Sequence, residues 1–253
     1  MLKTRVIPCL LLRGAGLVKT TRFKDPKYVG DPINAIKIFN DKEVDELVLL
    51  DISASKEGRG PAFSVIEEVA SECFMPLAYG GGIRSVEEAR RILKLGVEKL
   101  VFNDTAWRDP EVLREASRVF GAQAVVASID VRRKMFGRYE VFVANGTKGT
   151  GIDPCEYARR MEANGAGEIL LNSIDRDGMM QGYDLELVAS VTAEVGIPVI
   201  ASGGAGSVGD FRAAVHTAGA DAVAAGAMFV FHGPHRAVLI TYPDRADLER
   251  ALE

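Results

Sequence analysis

MPLAYGGGIRSVEEARRILKLGVEKLV (75–101) and IPVIASGGAGSVGDFRAAVHTAGADAVA (197–224) are two versions of one pattern. Each runs from a short apolar stretch through a glycine cluster and a serine into an amphipathic stretch, and then into a second apolar run. A short apolar run followed by 3.6-periodic sequence reads as a strand and its crossover helix, so each segment is a βα unit leading into the next strand. The stretch DELVLLDISAS (45–55) is repeated in the same way by GEILLNSIDRDG (167–178). Gly81 and Gly203 are 122 residues apart and Asp51 and Asp175 are 124 apart, about half of a 253-residue chain. Short solenoid repeats do not give such a spacing, whereas duplication of half a barrel does.

The rest of the chain keeps the alternation. Eight strand candidates follow one another: Val6 to Leu11, Leu47 to Asp51, Met75 to Tyr79, Leu100 to Asn103, Ala124 to Asp130, Ile169 to Ser173, Pro198 to Ser202 and Ala222 to Ala225. Helical sequence lies between them, with one clear start at Gly30-Asp31-Pro32, where Asp31 is suited to the N-cap and Pro32 to the first helical position. Eight βα units in 253 residues predict a single α/β domain, a (β/α)8 TIM barrel spanning 1–253, with half-barrels over roughly 1–122 and 123–253.

Composition narrows the function. A net charge of -4 with both signs interspersed offers no basic footprint for nucleic acid and no polybasic membrane patch. The apolar run from Val6 to Leu12 is broken by Pro8 and is far shorter than the ~18 residues of a membrane span. Cys9, Cys73 and Cys155 are too scattered for a disulfide framework or a CxxC metal site. The expectation is a cytoplasmic protein whose partners are small molecules or another protein.

Two glycine loops carry the strongest chemical signal: Gly80-Gly81-Gly82 and Gly203-Gly204-Ala205-Gly206, followed by the helix-starting serines Ser85 and Ser207. Backbone N–H groups exposed by glycine at a helix start form an anion site, and two such sites half a barrel apart suit a substrate phosphorylated at both ends. The alternative for either loop alone is a tight βα turn. Gly204, Gly206 and Gly209 also satisfy G-x-G-x-x-G, but a dinucleotide fingerprint belongs after a first strand and not in the seventh unit. His232 and His235 form H-x-x-H without a third ligand nearby, which is a weak metal signal.

Ten ordered motifs, RVIPCL, GDP, DELVLLDISAS, GGGIRS, GVEKLVFN, GAQAVVASID, GTG, GAGEILLNSIDRDG, GYD and IPVIASGGAG, resemble the cyclase subunit of imidazole glycerol phosphate synthase, the HisF family, over nearly the whole chain. The resemblance implies a glutaminase partner, HisH-like, docked on the N-terminal face of the barrel. Ammonia released there passes through the barrel and attacks a bisphosphorylated ribulosyl-aminoimidazole nucleotide at the C-terminal face. It implies a charged ammonia gate of Arg5, Glu46, Lys99 and Glu168, with Glu98 facing the glutaminase. The alternative for the four gate positions is a stabilising salt-bridge layer, since the N-terminal face of a barrel usually serves stability. Asp130 matches the second of two catalytic aspartates. Lys19, on the long loop after the first strand and expected to be mobile, matches an active-site position, as do Asp51, Asp175 and Asp177. Gly81, Gly82, Asn103, Ser202, Gly203, Gly204, Ala225 and Gly226 match phosphate-binding positions. Neither cofactor nor metal is implied.

The resemblance fails at the first catalytic aspartate. The family reads IPCLDV where this chain reads IPCLLL, so Leu11 stands at a proton-transfer position with nothing to donate or accept. Asp104 and Ala227 replace a threonine and a serine of the phosphate loops, and Asn172 replaces a threonine near the catalytic centre. The pattern resembles divergent second copies of this subunit in which ammonia is passed on to a sugar amidotransferase. A working cyclase that tolerates Leu11 and a scaffold that only activates the glutaminase are the competing expectations. The closing stretch FVFHGPHRAVLITYPD, with Phe229 to Phe231, is expected either to complete the core or to offer a docking surface.

Overall fold

The computed structural model describes residues 4–253. All eight expected strands form: β1 (Arg5–Arg13), β2 (Leu47–Asp51), β3 (Leu77–Gly80), β4 (Lys99–Phe102), β5 (Val125–Arg133), β6 (Glu168–Ser173), β7 (Val199–Ser202) and β8 (Ala222–Ala225). Each pairs in parallel with the next, and β8 pairs with β1 through Arg5↔Ala222 to Pro8↔Ala225, which closes the barrel. A closed parallel sheet buries both faces, and its strands separate two cores by the period-2 alternation of side chains. Val6, Leu10 and Leu12 of β1 join the outer core under the helices, whereas Ile7 and Cys9 pack inside the barrel with Val48, Ala78, Val101, Val126, Leu170, Ile200, Ala222 and Ala224.

Helices cover the outside, among them Pro32–Asp41, Val86–Lys94, Pro154–Ala163 and Val208–His216. Asp31 caps the first by accepting from the Asn34 N–H at 3.1 Å with Pro32 opening the helix, as the sequence predicts. Ser85 accepts from the Glu88 N–H, and Ser207 forms a capping box with Asp210, so the two repeated serines start equivalent helices. Phe229, Val230 and Phe231 are buried, and Phe229 packs against Phe39, Phe211 and Tyr242. The first three residues of the closing stretch therefore complete the core, whereas Val238 and Leu239 further along it are exposed.

The loop after β1 differs from its expectation. Leu11 to Arg13 pair antiparallel with Gly16–Thr21, which pairs in turn with Lys24–Gly30, so Lys19 sits on a folded ribbon. Burial of Leu17, Val18, Lys19 and Thr20 holds this ribbon against the barrel, with Leu17 wholly buried in the outer core. A second ribbon follows β5, formed with Tyr139–Val143 and Lys148–Gly149. Both ribbons rise from the C-terminal ends of strands, the end at which barrel enzymes carry their chemistry.

Candidate active site

Strand periodicity places each file of inward residues on one line through the barrel. On β1 it runs Arg5, Ile7, Cys9, Leu11. In the other files it runs Lys99, Val101, Asn103; Val126, Ser128, Asp130; and Glu168, Leu170, Asn172. Charged groups therefore lie at the N-terminal end, apolar groups in the middle and polar groups at the C-terminal mouth.

At the base, Arg5 donates to Glu46 at 2.5 Å and to Glu168, and Lys99 donates to Glu46 at 2.9 and 3.0 Å and to Glu168 at 2.9 Å. Both carboxylates are nearly inaccessible, with Glu46 2% and Glu168 6% exposed, so each needs its two cations. The four residues form a closed two-by-two ring across the bottom of the apolar lumen. Glu98 is exposed beside it, with its N–H bonded to the Leu77 carbonyl.

The mouth holds a cavity of about 130 Å³ bordered by Leu11, Lys19, Asp51, Asn103, Asp104, Asp130, Asn172, Asp177 and Ser202, together with both glycine loops and Ala225-Gly226-Ala227. Glycine is required in those loops. At Gly81 (φ +124°) a Cβ would lie 2.5 Å from the Asp51 carbonyl oxygen, and at Gly203 (φ +85°) it would lie 2.6 Å from Asn172 Oδ1. The cavity therefore presents backbone in two opposite corners.

Sequence-selected carboxylates separate here by what they touch. Asp130 is buried and accepts from Asn103 Nδ2 at 3.0 Å. Burial pushes its carboxyl up to about 7; hydrogen bonding from Asn172 and Asn103 opposes the rise, and repulsion from Asp177 adds to it. Asp177 is bonded to Lys19 Nζ at 2.5 Å and to Thr20 Oγ1 at 2.7 Å, and the Arg22 N–H reaches its carbonyl at 2.9 Å, which ties the first ribbon down across the mouth. Asp51 organises the turn after β2: it accepts from the Ser53 and Ala54 N–H groups at 3.0 Å and pairs with Arg59 at 3.3 Å. Nothing in the linear pattern marked Arg59 as its partner. Asp175 is not brought to the cavity; it faces outward and accepts from the Arg133 N–H at 2.8 Å, holding the second ribbon.

Leu11 borders the same cavity as Asp130, while Leu10 and Leu12 point into the outer core. The position at which the resemblance leads one to expect an aspartate thus carries an apolar side chain on the cavity that Asp130 also lines. Cys9, one step deeper, is no substitute, because burial pushes its thiol up to about 12. Among the described residues no group of three or more His, Cys, Asp or Glu could hold a metal, and no helix is long and apolar enough to cross a membrane.

The raised Asp130 carboxyl has a measurable consequence. An aspartate ordinarily titrates near 3.9, so between about pH 4 and 7 the folded protein holds a proton that the unfolded chain has released. Stability therefore falls as pH rises through that window, by roughly 2–4 kcal/mol for a shift of this size. Asp130→Asn is expected to melt higher than the parent at pH 8, with the difference shrinking towards pH 5. A constant offset across a series of melting curves would refute this origin.

A closed (β/α)8 barrel with an ionic ring at its base, an apolar interior and a polar, glycine-lined mouth defines the class of fold and site. The histidine biosynthesis protein family model matches residues 5–234. A relative from Pseudomonas aeruginosa, provisionally described as imidazole glycerol phosphate synthase subunit hisF2, is 55% identical over 96% of this chain and 97% of its own length. Subunit hisF3 of Vibrio vulnificus, also provisionally described, is 49% identical over 100% of this chain and 98% of its own. Imidazole glycerol phosphate synthase subunit HisF of Alkaliphilus metalliredigens is 46% identical over 92% of each. The chain belongs to this histidine biosynthesis family, among its HisF subunits.

Proposed function

We propose that this chain is the synthase subunit of a HisF-type glutamine amidotransferase in which ammonia delivery persists and nucleotide cyclisation is crippled. In this reading a HisH-like glutaminase docks at the N-terminal face beside Glu98. Ammonia crosses the ring of Arg5, Glu46, Lys99 and Glu168 and follows the apolar lumen past Ile7, Val48, Ala78 and Ala224 to the mouth. The observation that carries the proposal is Leu11 facing the cavity it shares with Asp130. One carboxyl poised near neutral pH can act as general acid or base but cannot act as both at once, so a reaction that needs two facing groups loses one. Ammonia then passes to a separate acceptor enzyme, which we assign as a sugar amidotransferase.

A second reading, a working cyclase of histidine biosynthesis, draws support from the intact Asp130 and glycine loops. One assay separates the two. The purified chain is given the ribulosyl nucleotide and an ammonium salt, and product is measured beside an aspartate-bearing relative. Turnover lower by about 10²- to 10⁴-fold is expected, the usual contribution of a general acid or base. Turnover equal to the relative's would overturn the proposal and leave the cyclase reading standing. Stimulation of glutamine hydrolysis by this chain, lost in a Glu98→Lys variant, is the accompanying test of the partner face.

A further inference from the structure

The two ends of the barrel differ in charge. The segments that follow the eight barrel strands (13–30, 52–62, 81–85, 103–109, 132–153, 174–184, 203–207 and 226–240) carry sixteen Lys or Arg against nine Asp or Glu, whereas the whole chain carries 31 against 35. The C-terminal face is therefore positive and the rest of the molecule negative, a polarity that the net charge of -4 conceals. Part of this charge is neutralised within the face, where Lys19, Arg132, Arg133 and Lys134 pair with Asp177, Asp175, Glu186 and Glu140. Arg13, Arg22, Lys24, Lys27, Arg138 and Lys148 are exposed and have no carboxylate partner among the described residues.

Apolar side chains stand out from the same face at two places. Beyond β5, the turn Lys134-Met135-Phe136-Gly137-Arg138 leaves Met135 79% and Phe136 96% exposed. Phe136 also has φ +65°, a backbone conformation that bulky residues rarely adopt. An aromatic ring that packs on nothing, carried on a costly backbone, contributes nothing to the fold and points to a use outside it. Beyond β8, the hairpin of Phe231–His232 with Ala237–Val238 exposes Val238 and the following Leu239. Round the closed barrel β5 lies four strands from β1 and three from β8, so the two apolar sites stand on opposite sides of the mouth. The first ribbon joins them: Lys27 Nζ donates to the Arg236 carbonyl in the hairpin at 3.3 Å, and a Cβ at Gly146 of the second ribbon would lie 2.8 Å from the Phe23 ring. None of the four apolar residues borders the cavity, so a small ligand in the mouth leaves them unused.

We propose that the C-terminal face is a docking surface for a protein with an acidic surface, which spans the mouth and seats Phe136 on one side of it and Val238 with Leu239 on the other. Aromatic, Met and Arg side chains are the types enriched where proteins meet, and a rim of unpaired cations selects a partner of opposite charge. A bilayer laid on the same face would close the mouth to soluble traffic, whereas an enzyme seated there receives what leaves it. The partner's role rests on the delivery reading, under which it is the acceptor of the ammonia; the docking surface itself rests only on charge and exposure.

The test joins photocrosslinking to a binding measurement. Benzoylphenylalanine replaces Phe136, Leu239 or, as a control, Val119 on the outer helix Pro110–Phe120, in the full chain produced in its native cells. The same protein is expected to be captured from positions 136 and 239 and not from 119. That protein is then identified, purified and titrated calorimetrically against the full chain. Its affinity is expected to fall at least about tenfold with Phe136→Ser, and at least about tenfold with Arg138→Glu combined with Lys148→Glu, with parental melting curves because all three positions are exposed. The charge-reversed variant is also expected to lose most of the salt dependence of binding. No adduct, different proteins from the two positions, adducts to lipid, capture of a glutaminase, or an affinity unchanged in either variant would each overturn the proposal. The ammonium-driven cyclisation assay uses this chain alone, so loss of the docking surface leaves the delivery reading standing. A parent that cyclises as fast as its aspartate-bearing relative yet binds the captured protein as expected would overturn the delivery reading alone.

Discussion

Replacing Leu11 with aspartate is expected to raise ammonia-dependent cyclisation at saturating nucleotide by about 10²- to 10⁴-fold, the usual contribution of one positioned general acid or base. The position is expected to tolerate a carboxylate, because Leu11 is only partly buried and lines a cavity with polar walls. Two carboxyls sharing one mouth raise each other, so the variant should titrate as a coupled pair and show a bell-shaped pH dependence that the parent lacks. Leu11→Asn is the control: it adds polarity without a titrating proton and is expected to give no gain. If both variants gain equally, proton transfer is not what the parent has lost. Adding Asp104→Thr to the aspartate variant is expected to lower KM for the bisphosphorylated nucleotide with little change in kcat, since it removes a repulsion present in ground and transition states alike.

The barrel was legible because its signal is periodic and repeated. Short apolar runs at βα spacing locate strands, and the Gly81/Gly203 and Asp51/Asp175 pairs state the duplication directly. The ring at the base was equally readable, since Arg5, Glu46, Lys99 and Glu168 each fall at or just before a strand start, which puts them on one rim. The two ribbons were not, because Gly16–Thr21 and Tyr139–Val143 are short runs without a clear period whose pairing partners are the barrel strands themselves, extended past their expected ends to Arg13 and Arg133. For the same reason Lys19, expected on a mobile loop, is 6% exposed and paired with Asp177. The carboxylates at strand ends could not be sorted from sequence at all. Asp130, Asp175 and Asp177 lie within or just after their strands, yet one faces the cavity with a raised carboxyl, one binds a backbone N–H outside it and one anchors a lysine. Their hydrogen-bond partners come from 42 and 158 residues away for Asp175 and Asp177, and no local pattern records them.

Removing one member of the basal ring is expected to cost more stability than any other single substitution considered. Glu46→Ala leaves Arg5 and Lys99 facing Glu168 alone, so a balanced ring of two cations and two anions acquires a net positive charge beneath a dry lumen. Breaking a buried pair in this way typically costs about 3–5 kcal/mol, somewhat less here because Arg5 and Lys99 are 29% and 20% exposed. A chain of this size loses roughly 2–4 °C in Tm per kcal/mol, so with a discounted cost of about 2–4 kcal/mol the melting point should fall by roughly 4–16 °C. The double variant Glu46→Leu with Lys99→Met removes one charge of each sign and keeps apolar volume, and is expected to recover most of that loss, because well-packed apolar groups often equal or exceed a buried ion pair in stability. That recovery separates the two roles open to the ring. Built on the Leu11→Asp background, a restored melting point with glutamine-driven cyclisation intact would make the ring a stabilising layer only. Restored stability with glutamine-driven cyclisation lost and ammonium-driven cyclisation retained would identify it as the gate, because ammonium salts reach the mouth from bulk solution whereas glutaminase-derived ammonia must cross the base.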